Sequence, residues 1–313
     1  RRPRIVMAER SKRLKALLEA PEILVIPGIY DGYSARLAEA AGFAVAAISG
    51  AGVSESHLGW ADMGVMSFKD NLEACRAIAA FSGLPLIADG DTGYGNATTV
   101  HFTVRAFEAA GVAALMLEDQ VWPKRCGHMA GKQVITEAEM VEKVKAACNA
   151  RIDDDFVIRA RTDAAGPLGL NAAIDRLNAY AEAGADTLFA DALLSAEDIE
   201  TVARNVPKPL TVNMGLGIRA RPTTPLIHPA KLQAMGVAAV SYPRLLSTAA
   251  VRGMMNAIAA FEDMLDSGEA VDRPDLLVGF DEINKLTGFD HLTGLDETYA
   301  HEQEGSAHGH DDD

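Results

Sequence analysis

TTVHFTVRAFEAAGVAALMLEDQ, residues 98–120, carries the unit from which this chain is built. Thr98 to Ala110 has helical spacing, Gly111 interrupts it, Val112 to Leu117 is a continuous apolar run, and Glu118-Asp119-Gln120 ends that run. A glycine in the left-handed conformation closes a helix and feeds the chain straight into a strand. The same ending recurs as Ala-Gly-Phe at 41–43, Ala-Gly-Ala at 183–185 and Met-Gly-Val at 235–237. Eight short apolar runs share this pattern: Ile23 to Ile26, Val45 to Ile48, Pro85 to Ala88, Val112 to Leu117, Phe156 to Ala160, Thr187 to Ala190, Leu210 to Val212 and Ala238 to Ser241. Helical segments lie between them, over Tyr33 to Ala41, Phe68 to Phe81, Thr98 to Ala110, Glu137 to Ala150, Leu170 to Ala183, Ala196 to Asn205 and Pro229 to Met235.

Strands that are apolar throughout fit a parallel sheet covered by helices. Eight such units predict an α/β fold, a (β/α)8 barrel of the TIM type, with a doubly wound open sheet as the alternative. Residues 1–300 read as one barrel domain with extra C-terminal helices, over Val251 to Leu265 and Leu276 to Leu286, available for oligomer contacts. In a barrel the chemistry collects at the C-terminal ends of the strands. The apolar runs lead into Tyr30-Asp31, Ser49 to Gly52, Asp89-Gly90-Asp91, Glu118-Asp119, Arg161-Thr162-Asp163, Asp191, Asn213 and Tyr242.

Composition narrows the classes. Of 313 residues, 49% are hydrophobic and 6% aromatic, enough for one large core. No apolar stretch approaches the roughly 18 residues that cross a bilayer. Arg1-Arg2-Pro3-Arg4 is not followed by the apolar block of a secretory signal, so no membrane role and a cytoplasmic location are expected. Cys75, Cys126 and Cys148 are odd in number and irregular in spacing, which fits neither a disulfide framework nor a zinc ribbon. A net charge of −15 argues against nucleic acid as a partner, since neutralising phosphates needs a cationic surplus. Residues 301–313, with Glu302, Glu304 and Asp311 to Asp313, read as a disordered acidic tail. The body is still acidic, so an anionic substrate must be held by local cations or a metal.

Asp89-Gly90-Asp91-Thr92-Gly93-Tyr94-Gly95 sets two carboxylates in a glycine-rich loop, with Glu118 at the end of the next strand. Hard oxygen donors on adjacent loops suit Mg²⁺, with Mn²⁺ as an alternative; capping of turns is the other use of an Asp-Gly-Asp. Arg161 can hold a carboxylate through its planar fork, or form a salt bridge to Asp163. In Lys124-Arg125-Cys126-Gly127-His128 the thiol lies between two cations and an imidazole, each of which favours the thiolate, and Gly131 close behind gives the loop the hinges of a mobile lid. Cys75 and Cys148 sit inside helical patterns and read as packing residues.

These residues carry a resemblance. Pro-Gly-x-Tyr-Asp at 27–31, Ser-Gly at 49–50, Asp62, Ala-Asp-x-Asp-Thr-Gly-Tyr-Gly at 88–95, Glu-Asp-Gln at 118–120, Lys-Arg-Cys-Gly-His at 124–128 and Ala-Arg-Thr-Asp-Ala at 160–164 occur in one order. The chain resembles the isocitrate lyase and phosphoenolpyruvate mutase superfamily, and its cysteine motif resembles that of the carbon-carbon lyases such as 2-methylisocitrate lyase and 2,3-dimethylmalate lyase. The resemblance implies a barrel whose last helix is exchanged between subunits, giving homodimers or homotetramers. It implies Mg²⁺ held directly by Asp89, with Asp62, Asp91 and Glu118 acting through water. It implies that Ser49, Gly50 and Ala51 bind the 2-oxo acid half and Arg161 its carboxylate, with Gly127, Asp191 and Asn213 completing the substrate site. Cys126 would then exchange the proton at the carbon being cleaved, Lys124, Arg125 and His128 would offset charge on the leaving carboxylate, and Tyr30 is the candidate base for the hydroxyl proton.

The activity so implied is Mg²⁺-dependent cleavage of a 2-hydroxy malate-type di- or tricarboxylate into a 2-oxo acid and a carboxylate. The alternatives are an oxaloacetate hydrolase or decarboxylase, a phosphonopyruvate-type mutase or hydrolase, and a non-catalytic barrel. Two departures bear on the substrate. Asp191 stands where many relatives carry Glu, and Met214 to Arg219 replaces the Thr-Glu-Phe-Gly stretch of methylisocitrate lyases, which argues against strict 2-methylisocitrate specificity. Arg219 or Arg221 either reaches a distal carboxylate or is simply exposed.

Overall fold

The computed structural model describes residues 2–126, 131–219 and 222–306, with backbone alone at 2–7 and 301–306. The chain divides into two compact units, Arg1–Ala249 and Ala250–Asp313.

In the first unit eight parallel strands close on themselves in chain order. They are β1 (Leu24–Ile29), β2 (Ala46–Ile48), β3 (Leu86–Asp89), β4 (Ala114–Glu118), β5 (Val157–Thr162), β6 (Thr187–Ala190), β7 (Leu210–Asn213) and β8 (Ala239–Tyr242). The closing pair is β1 with β8, Leu24 opposite Ala239 and Pro27 opposite Tyr242, which excludes the open sheet and establishes the (β/α)8 barrel. The helices between strands are α2 (Gly32–Ala40), α3 (Gly50–Val53), α4 (Phe68–Phe81), α5 (Ala97–Ala110), α6 (Glu137–Ala150), α7 (Ala165–Leu168), α8 (Leu170–Glu182), α9 (Ala196–Arg204) and α10 (Pro229–Ala234), with a π-helical turn over Ser54–Leu58. Gly42, Gly111, Gly184 and Gly236 all have φ between 83° and 111°, the left-handed helix closure predicted from the sequence. Helix starts follow the usual chemistry too: Ser67 and Asp70 form a capping box on α4, and Thr136 and Ser195 cap α6 and α9.

The sequence reading contains no helix before the first strand. The structure has α1 (Arg2–Glu19) there. Its Leu14 and Leu18 are 0% and 3% exposed, and they pack with Leu24, Ile26, Val45, Ile87, Ala114, Val157 and Ala239 from the barrel lining. Each such leucine contributes roughly 1.5–3 kcal/mol by burial. Arg10 fastens the same helix to the Ala79 carbonyl at 3.1 Å and to the Ser82 carbonyl.

Helix α11 (Leu245–Ser267) begins in the first unit and continues in the second, which also holds α12 (Phe280–Thr287) and α13 (Phe289–Ser306). The second of these starts four residues later than the predicted Leu276, and α13 extends into the segment expected to be a tail from residue 301. Residues 307–313 lie outside the described residues. Val251, Met254, Met255, Ile258, Phe261 and Leu265 form an exposed apolar stripe along α11.

Candidate active site

The ends of β3 and β4 gather the acids. Gly90 passes so close to the Met116 carbonyl that a Cβ would lie 2.7 Å from it, so only glycine fits this point of the loop. The chain then turns through Asp91, whose amide donates to Asp89 Oδ1 at 3.1 Å and whose carbonyl accepts from the Glu118 amide at 2.9 Å. Asn71 on α4 donates to the Asp89 carbonyl at 2.6 Å and to the Tyr94 hydroxyl at 2.8 Å. At the end of β2, Gly50 abuts the same carboxylate, since a Cβ there would lie 2.9 Å from Asp89 Oδ2.

Asp62 and Asp91 are both buried, and Lys124 Nζ lies 2.7 Å from Asp62 Oδ1 and 2.7 Å from Asp91 Oδ1. Burial opposes the charge of Lys124, but Asp91, Glu118 and Asp62 outweigh it and raise its pKa well above the ordinary lysine value. Burial pushes Asp91 up to about 6, against the pull of Lys124. The expectation that Lys124 attends the thiol is therefore corrected: in this structure its charge is spent between two carboxylates.

Arg161, at the end of β5, is buried and bidentate to Asp163, Nε to Oδ2 at 2.8 Å and Nη2 to Oδ1 at 3.0 Å. It also lies 3.2 Å from Glu118 Oε2 and 3.3 Å from Asp191 Oδ2. Its fork is thus taken up by Asp163, the salt-bridge alternative of the sequence reading, while its side chain still lines the barrel throat. Lys132 donates to Asp163 Oδ1 at 2.6 Å and sits 3.6 Å from Asp191 Oδ2. Burial pushes Asp163 up, but Arg161 and Lys132 overcome that and hold it well below the usual carboxylate range. Asp191 also accepts from Asn213 Nδ2 at 3.0 Å, and Asn213 accepts from Ser241 Oγ. The shorter acid at 191 still reaches its neighbours.

Behind this row stands Asp119, 0% exposed. It accepts from the Asp163 amide at 2.9 Å, Thr162 Oγ1 at 2.7 Å, Arg176 Nη1 at 3.0 Å and Tyr180 OH at 2.8 Å. The throat itself is a cavity of about 70 Å³ lined by Ser49, Asp89, Arg159, Arg161, Phe189, Asn213 and Ser241 among others. A larger cavity of about 570 Å³ is lined by Met66, Thr92, Tyr94, Gln120, Trp122 and Lys143 among others, neighbours of these acids and of the thiol segment rather than the acids themselves.

The thiol arrives on the segment after β4. Gln120 clamps it, its Oε1 accepting from the Arg125 amide at 3.0 Å and its Nε2 donating to the Arg125 carbonyl at 2.9 Å. The Cys126 amide donates to the Asp62 carbonyl at 3.1 Å, which ties the thiol segment to the acid loop. Arg125 directs its guanidinium toward Gly131. Arg244 lies against the thiol, with Nη2 3.8 Å from Sγ. Burial pushes Cys148 up to about 11 and raises Cys75 further, in keeping with their packing role.

Other predicted residues divide. Ser49 Oγ accepts from the Gly52 amide at 3.1 Å and so caps α3, while also lining the throat; Ala51 is half-buried in the same helix. Tyr30 lines a cavity other than the throat, with His57, Glu73 and Phe81, and burial followed by the charge of Asp31 raises its pKa. Asp31 is a helix cap, its Oδ1 accepting from the Ser34 amide at 2.8 Å. Arg219 is exposed, and Gly127, His128 and Arg221 lie outside the described residues. Lys132, Gln120, Asp119, Asp163 and Arg244 were not among the predicted site residues.

The donor set fits a hard divalent cation. Asp89, Asp91, Asp62 and Glu118 offer only oxygen, and the buried Glu118 Oε1 has no hydrogen-bond partner among the described residues. Burial raises Glu118 well above the usual carboxylate range despite Arg161, the condition that an added positive charge relieves. No three His, Cys, Asp or Glu side chains among the described residues form a ready-made ligand shell. Mg²⁺ does not require one, because it commonly binds one or two carboxylates and retains several waters.

The phosphoenolpyruvate phosphomutase family matches residues 14–262. The 2,3-dimethylmalate lyase of Eubacterium barkeri is 37% identical over 288 residues, covering 92% of this chain and 97% of that protein. The structure of oxaloacetate acetylhydrolase in complex with the inhibitor 3,3-difluorooxalacetate superposes with a TM-score of 0.85 at 32% identity, covering 94% of this chain and 98% of that one. A phosphonopyruvate hydrolase complex with oxalate and Mg²⁺ gives a TM-score of 0.80 at 30% identity, covering 93% and 99%.

Proposed function

The chain belongs to the phosphoenolpyruvate mutase and isocitrate lyase superfamily, and from that premise we propose that it is a Mg²⁺-dependent carbon-carbon lyase acting on 2-hydroxy malate-type acids. The observation that carries the reading is the division of the site. Asp89 and Arg161 line the throat, Glu118 lies 3.2 Å from Arg161, Asp91 is hydrogen-bonded to both Asp89 and Glu118, and the segment carrying the Cys126 thiol is fastened to the Asp62 carbonyl. Similarity to a 2,3-dimethylmalate lyase supports alkylmalates as substrates, and an all-oxygen donor set suits Mn²⁺ as well as Mg²⁺.

In the reaction the C2–C3 bond breaks, the C2 hydroxyl loses its proton to give the 2-oxo acid, and C3 keeps the electron pair until it is protonated. Bound at Asp89, with Asp62, Asp91 and Glu118 contributing through water, Mg²⁺ would act as a Lewis acid toward the oxo-acid oxygens. The chain's own residues do the rest. Arg161, fixed by Asp163, presents positive charge to the oxo-acid half; Ser49, Gly50, Asp191 and Asn213 shape its pocket. Cys126 delivers its proton to C3.

Oxaloacetate hydrolysis is a second reading, favoured by the likeness to oxaloacetate acetylhydrolase. Incubation with Mg²⁺ and a panel of alkylmalates, 2-methylisocitrate and oxaloacetate, with products identified by NMR, separates them. The lyase reading expects a 2-oxo acid plus a carboxylate, abolished by chelation and restored by Mg²⁺; no turnover of any member overturns it. We place the enzyme in the cytoplasm as a homodimer or homotetramer. No described helix is long and apolar enough to cross a membrane, and the apolar stripe of α11 suits association.

A further inference from the structure

We infer that Arg244 receives the carboxylate attached to the carbon that Cys126 protonates, and so makes a carboxylate on that carbon a requirement of the substrate. The substrate half of this statement rests on the lyase reading; the geometry does not. Arg244 follows β8 and Pro243 directly, at the rim of the barrel. Its Nη1 donates to Glu55 Oε2 at 2.5 Å, from the π-helical turn after β2, and its Nη2 lies 3.8 Å from Cys126 Sγ. The side chain is 21% exposed, so it is held at the site rather than waving in solvent. Glu55 fixes one arm of the guanidinium and leaves the other beside the thiol.

Lys124 is drawn onto Asp62 and Asp91 and Arg125 extends toward Gly131, whereas Arg244 is a cation held against the thiol. The chemistry requires one. When C2–C3 breaks, the electron pair on C3 spreads into the carboxylate attached to it, and that group gains charge in the transition state. Proton transfer needs Sγ within about 3–3.5 Å of C3. The carboxylate oxygens are two bonds from C3, which brings them within reach of a guanidinium 3.8 Å from Sγ. A planar fork matches both the shape and the growing charge of that group, where an ammonium would match only the charge.

Alkylation tests this without turnover. Iodoacetate and iodoacetamide both react by attack of the Cys126 sulfur on a methylene carbon: the S–C bond forms, the C–I bond breaks, iodide leaves and the thiol proton goes to solvent. Iodoacetate carries a carboxylate one bond from the attacked carbon, and iodoacetamide carries an amide of the same size. Rates at Cys126, followed by peptide mass spectrometry, should show an iodoacetate-to-iodoacetamide ratio on the order of tenfold above that of free cysteine. Arg244→Met should return the ratio to the free-cysteine value. Arg244→Lys and Glu55→Gln, each checked for folding by circular dichroism, should fall between. Equal ratios in the wild type and Arg244→Met would overturn the assignment. Because neither reagent is a substrate, a lyase reading that failed in the turnover panel would leave this measurement standing, and the reverse also holds.

Discussion

Replacing Asp119 by Asn should lower the melting temperature by about 10 °C, although the change removes no atoms from the core. The carboxylate is wholly buried behind β4 and β5. Its Oδ1 accepts from the Asp163 amide, and its Oδ2 from Thr162, Arg176 and Tyr180, at 2.7–3.0 Å. Burial favours the neutral acid, while these donors and the Arg176 charge favour the ion. An asparagine has one accepting arm. Whichever way its amide turns, an N–H faces either the Asp163 amide or the cluster of three donors, and Arg176 loses its buried counter-ion. Breaking one partner of a buried ion pair costs about 3–5 kcal/mol, and each kcal/mol corresponds to about 2–4 °C in a domain of this size. Tyr180→Phe, which deletes a single donor to the charge, should cost less, about 1.5–3 kcal/mol. In a double-mutant cycle the two should fall short of additivity, because they remove the same contact. Thermal unfolding followed by circular dichroism reads all four proteins. Asp119→Asn melting within about 2 °C of wild type would refute the reasoning, and with it the idea that this hub sets the position of Asp163 and Arg161.

The folded-state pKa of Asp163 is depressed below its unfolded value of 3.8, so its contribution to stability is fully present above that pH and is lost as pH falls toward the depressed value. The unfolding free energies of wild type and Asp163→Asn, measured in urea, should therefore differ by a constant amount above about pH 5 and converge steadily as pH falls below about 4; a gap that stays constant down to about pH 2 would contradict the pairing with Arg161 and Lys132. At about pH 8, iodoacetamide should modify Cys126 quickly and Cys75 and Cys148 slowly, since burial raises both of the latter. Fast labelling at Cys148 would show that α6 does not protect it.

The barrel was legible because its signal is repeated: the same helix, glycine and apolar strand recur, so each instance supports the next. Helix α1 was not, because among its described side chains Leu14 and Leu18, with Leu17 partly buried beside them, mark the buried face, and apolar positions confined to one turn are too few to establish a period. The acids at 89, 91 and 118 were legible through strand ends, and so was the Arg161–Asp163 pair as one of two alternatives, but the partners of Lys124 were not. Sequence proximity placed Lys124 beside Cys126, but two buried carboxylates brought in from other loops, Asp62 and Asp91, draw its ammonium to them. Arg244 is 118 residues from the thiol it touches, and Glu55 is 189 residues from Arg244. Nothing local links the three. Asp31 shows the converse case, an acid at a strand end whose work is to cap a helix.

The central claim is a divided site, with a metal-binding rim that holds the oxo-acid half and a separate thiol that serves the other carbon. Cys126→Ser tests it most directly, in one experiment that measures cleavage of an alkylmalate by NMR and binding of Mg²⁺ with a 2-oxo acid by calorimetry on the same preparation. Cleavage should disappear while binding stays close to wild type, in contrast to Asp89→Ala, which should lose both. Undiminished cleavage by Cys126→Ser would remove the thiol from the mechanism and contradict the division itself.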